Sequence, residues 1–178
     1  MATLIVQLTD FEQRPYRIPN QTESKDLYAF IEVAEEKILR ELFGHDMYEE
    51  LEDQLSGTPG AVWVALRDGA EYAYNSQNYK YGGLKAILVP RIYSEWITET
   101  RDKYTDVGVV YNTSDNNERV SPARRIVEAY NAYARLVGDY WNQCNTLYGY
   151  MEANEADFPD WDPDNLFDPP GRINEFGL

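Results

Sequence analysis

The feature that most constrains this chain is a helical stripe between Pro122 and Met151. Large residues stand at Ile126, Tyr130, Tyr133, Val137, Tyr140, Cys144, Leu147 and Met151. From Tyr130 onward the gaps between them alternate three and four, which is the spacing of one face of a helix. Ser121 followed by Pro122 is a start signal, since Ser caps free N–H groups and Pro suits the first turn. The stripe predicts one helix of about 30 residues, about 45 Å long, on which shorter helices pack as on a spine. Part of the stripe must be bundle core. Its wealth of Tyr, a ring with a polar tip, also suits partly wet contacts between subunits.

A second long helix is expected over Leu84 to Tyr104, with Leu84, Leu88, Ile92 and Trp96 on one stripe and Pro90 kinking it. A third runs from about Glu23 to Phe43. There Leu27, Ile31, Ala34, Ile38 and Leu42 make the inner face, and Gly44 is a natural stop. Asp46 to Leu55 reads as a short helix, Ala61 to about Tyr74 as another weakened by Gly69, and Asn75 to Gly83 as a Tyr-rich loop. Thr3 to Thr9 is β-prone. It is expected to pair with another chain, to lie along the bundle, or to form a hairpin with residues 105–111. The fold class is therefore mainly α: a bundle with two long helices, a possible short β element joining the N-terminal arm to 105–111, and an extended C-terminal arm.

That arm begins where the composition changes, which sets a helical domain over 1–151 against an arm over 152–178. From Glu152 to Leu178 the chain has eight acids, one base (Arg172) and Pro159, Pro163, Pro169 and Pro170. Yet Phe158, Trp161, Leu166, Phe167, Ile173 and Phe176 are spread through it, and a plain disordered tail is depleted in aromatics. The expectation is an arm that docks on a neighbouring subunit or partner protein, with Phe158, Trp161, Leu166, Phe167 and Phe176 as contact residues.

Charge and residue supply exclude several functions. With 31 acids against 16 bases the net charge is −15. Such a chain does not wrap nucleic acid through phosphate contacts, although an acidic wall could line a passage through which DNA slides. The single cysteine, Cys144, forbids an internal disulfide and reads as a small buried residue on the stripe. The N-terminus lacks a basic region and a long apolar run, and no apolar run is long enough for a bilayer, so a soluble chain made in a reducing compartment is expected. The only histidine, His45, follows the Gly44 stop. This leaves no Glu-x-x-His pairs for a di-iron bundle and no Ser/His or Cys/His device, and His45 reads as a surface or capping residue. Tyr81-Gly82-Gly83-Leu84-Lys85 lacks phosphate-loop spacing. Asp160, Asp162, Asp164 and Asp168 mimic a calcium loop until Pro163, Asn165 and Gly171 break the pattern. No catalytic residue, metal ligand or cofactor is assigned.

Several stretches carry a resemblance. Glu32-Val33-Ala34-Glu35, Ile38-Leu39, Leu42-Phe43-Gly44 and Met47-Tyr48-Glu49-Glu50-Leu51 resemble the opening of phage head–tail connector (neck) proteins. Tyr79-Lys80-Tyr81-Gly82-Gly83-Leu84-Lys85, Tyr93-Ser94-Glu95-Trp96, Gly108-Val109-Val110, Asp115-Asn116-Asn117-Glu118 and Tyr130-Asn131 are similar to a group carried by crAss-like and related phages. The likeness spans Pro15 to Met151 and leaves out the acidic tail. It implies a helical structural subunit of the virion neck, made in the host bacterial cytoplasm. Such a subunit forms a homo-oligomeric ring, commonly of about twelve copies, under the portal protein. The ring extends the DNA channel without binding DNA specifically, touches no membrane, and docks a tail or second neck protein. The alternative, from another class, is a small acidic protein that binds a host factor as a DNA mimic. Presence in purified virions in many copies separates the two.

Overall fold

A computed structural model describes residues 5–18, 24–100, 102–105, 108–111, 122–162 and 168–174. The described chain is mainly helical: α1 (Ser24–Ser56), α2 (Ala61–Asp68), α3 (Leu84–Thr100), α4 (Pro122–Val137) and α5 (Leu147–Ala153). Two antiparallel hairpins interrupt the helices, β1 (Ala70–Tyr74) with β2 (Gln77–Tyr81), and β3 (Asp102–Thr105) with β4 (Gly108–Tyr111).

The expected inner face of α1 is buried at every position, Leu27, Ile31, Ala34, Ile38 and Leu42. Gly44 breaks that helix with φ 75° and ψ 179°, a conformation for which a residue without Cβ is suited. Met47, Tyr48 and Leu51 then continue the core. In α3 the residues Leu84, Leu88, Ile92 and Trp96 are buried, and the helix runs through Pro90 but ends at Thr100, short of the expected Tyr104, which instead lies in strand β3. Trp96 packs its edge on Phe30 of α1 at 5.1 Å between ring centroids. The α3–α4 pair is the main helix–helix contact. A charged seam ties three helices together at its rim. Lys37 of α1 reaches Glu95 at 3.1 Å, Arg91 reaches the same carboxylate at 2.8 Å, and the Arg91 guanidinium lies 5.0 Å from the ring centre of Tyr130 on α4.

Three expectations are corrected. The spine is not one helix, since α4 stops at Val137 and α5 begins only at Leu147. Gly138, at φ 77°, turns the chain, and a Cβ there would lie 2.6 Å from the Thr146 side chain. The three-and-four spacing persists through this break, but Tyr140 and Cys144 are both exposed, so Cys144 is not a buried residue. The second correction concerns residues 61–83. Helix α2 ends at Asp68, and the remainder is the β1–β2 hairpin, not helix followed by loop. Tyr72 and Tyr81 point inward while Glu71 and Lys80 face each other outside, a period of two that marks a half-buried strand pair. The turn, Asn75-Ser76, has positive φ at both residues (50° and 65°), the two-residue geometry usually signalled by Asn-Gly.

The third correction concerns the N-terminal arm. Among the described residues no pairing with 105–111 is formed, since β4 takes β3 as its partner, and of the expected alternatives it is the course along the bundle that Ile5 and Val6 follow. Ile5 and Val6 lie buried along the bundle, and the chain continues into a 3-10 turn over Leu8–Phe11. Their two backbone N–H groups donate to the two carboxylate oxygens of Glu35, each at 2.9 Å. Glu35 is itself buried. Two buried donors that lack a strand partner are thus satisfied by one buried acceptor from α1. Burial, the larger effect, raises the Glu35 pKa, while the two N–H donors and Lys85 act to lower it.

Candidate functional site

The aromatic residues nearest the C-terminal end fall into two sets. Phe158 and Trp161 belong to the core, at 1% and 6% exposure. After α5 a 3-10 turn over Glu155–Asp157 folds the chain back. Phe158 meets Trp63 of α2 edge-on at 5.3 Å, and Trp161 meets Tyr148 of α5 edge-on at 5.5 Å. Tyr150 stacks on Tyr81 at 4.7 Å and completes the cluster. The tail's expected partner contacts at Phe158 and Trp161 are therefore corrected: these rings anchor the tail to its own subunit. Leu166, Phe167 and Phe176 lie outside the described residues. Farther along, Asn131 of α4 holds the returning chain by two reciprocal bonds. Its Nδ2 donates to the Ile173 carbonyl at 2.8 Å, and its Oδ1 accepts from the Ile173 N–H at 2.9 Å. The division after Met151 falls inside α5.

The second set is the turn between α4 and α5, which sequence periodicity concealed. Tyr140 is 63% exposed and Trp141 90%, with their rings 5.0 Å apart at right angles. A Trp this exposed in a folded chain calls for an explanation, because its ring is a large apolar surface left in water. The turn beneath it is firmly held. Asp139 Oδ1 accepts from the N–H groups of Trp141 (2.8 Å) and Asn142 (2.7 Å). Thr146 caps α5 by accepting from the Gly149 N–H at 3.2 Å. Hairpin β1–β2 holds the same turn from the side. The Tyr72 hydroxyl donates to the Gln143 carbonyl at 2.7 Å, and the Lys80 N–H donates to Asn145 Oδ1 at 2.7 Å. Between Arg135 and Glu152 the only charged residue is Asp139, in a chain that is 26% charged. The arrangement is an aromatic tip on a fixed base, with Asp139 its one charged residue. Its signal in the sequence was Gly138 followed by Asp139, a helix stop and a turn former inside the supposed spine.

Other features carry less. His45 lies on the surface of α1, with Nδ1 2.7 Å from Arg40 Nη1. In an open cleft lined by Ile5, Leu55 and Ala86, both cations are already paired, Lys85 with Asp10 and Arg67 with Asp68. Among the described residues no group of three His, Cys, Asp or Glu side chains is placed to hold a metal ion, and no helix is long and apolar enough to cross a membrane.

Fold and site together define a mainly helical, acidic chain with an aromatic core and an exposed aromatic turn. Residues 39–170 match a family described as a family of unknown function (DUF6712). That match covers most of the chain, which belongs to DUF6712. No curated protein and no solved structure matches it.

Proposed function

We propose that this chain is a structural subunit of a phage neck, forming a ring between portal and tail that extends the DNA channel and docks neighbouring neck or tail proteins. The observation that carries the reading is the Tyr140–Trp141 turn: an ordered, nearly uncharged aromatic surface on a chain whose net charge is −15. Fixed aromatic side chains are what protein interfaces use as anchors, since each buries a large area at small entropy cost. The resemblance of residues 15–151 to neck proteins supports the same reading and supplies the place and the partners. The acidic surface suits a passage that DNA crosses without sticking, because phosphate contacts need cations.

Two measurements test the reading. The chain should be found in purified particles of the phage that encodes it, in multiple copies per particle, and negative-stain images of the purified protein or of particle necks should show closed rings. The isolated protein should not shift duplex DNA in a gel at physiological salt. Absence from particles, together with tight binding of a host DNA-binding protein, would replace the neck reading with that of a DNA mimic.

A further inference from the structure

We draw no further inference here: the strongest candidate, the exposed Tyr140–Trp141 surface patch on the turn between α4 and α5, belongs to the site already described, and nothing in the structure shows what covers it.

Discussion

Two aromatic pairs flank helix α5 and have opposite fates. Tyr140 and Trp141 precede it and face water; Phe158 and Trp161 follow it and are buried against α2 and α5. Local composition argues for the reverse, because the acidic, proline-bearing tail is the polar segment and the turn is nearly neutral. What separates them is the backbone around each pair. Asp139 and Thr146 hold the turn in a conformation that directs its rings outward. The 3-10 turn at Glu155–Asp157 instead brings Phe158 over the ring of Trp63. Aromatic content marks a segment as one that will bury surface. Whether it does so within the subunit or against a partner is decided by chain direction.

Substitutions test this contrast, the largest effect first. Phe158→Ala should lower unfolding stability by about 3–5 kcal/mol, as large core truncations do, read from the denaturant midpoint. A midpoint equal to that of the parent would mean that the tail ring is not part of the core. Next in size is Glu35→Ala, which leaves the N–H groups of Ile5 and Val6 without their acceptor, at roughly 1–3 kcal/mol.

The same variant has a pH signature. Burial raises the Glu35 pKa above its ordinary value, so the folded chain holds this proton more tightly than the unfolded chain does. The stability Glu35 contributes is complete below the ordinary glutamate pKa and is lost as pH rises through the raised value. The gap between wild type and Glu35→Ala should therefore be widest at the acid end of that window and narrow above it; a gap that widens with pH would contradict the assignment.

Smaller again is Asn131→Ala, which removes two bonds to Ile173. It should cost about 1 kcal/mol for each bond and make the chain around residues 168–174 the first site of limited proteolysis. An unchanged cleavage pattern would show that this clamp does not hold the tail. The smallest expected effect is that of Trp141→Ala, within about 0.5 kcal/mol of the parent. That near-silence is the other half of the comparison: a ring that costs little to remove from the subunit is available to a partner.

The residues themselves determined a good deal. The buried face of the first half of α1, the stop at Gly44 and the stripe of α3 follow from apolar spacing and from a glycine at a helix end, both local properties of a chain segment. The surface position of His45 was legible for the same reason. Tertiary structure decided the rest. The three-and-four spacing from Tyr130 to Met151 continues across the Gly138 break, so periodicity could not show that Tyr140 and Cys144 leave the core. The Asn75-Ser76 turn has positive φ at both residues because it closes a two-residue hairpin between β1 and β2, a pairing that the Tyr-rich sequence did not announce. Ile5 and Val6 look like a strand because they are β-prone, but their hydrogen-bond partner is a side chain 30 and 29 residues away. A spacing rule sees neighbours along the chain. The fates of Glu35, Asn131, Phe158 and Trp141 depend on what lies across from them, which packing alone supplies.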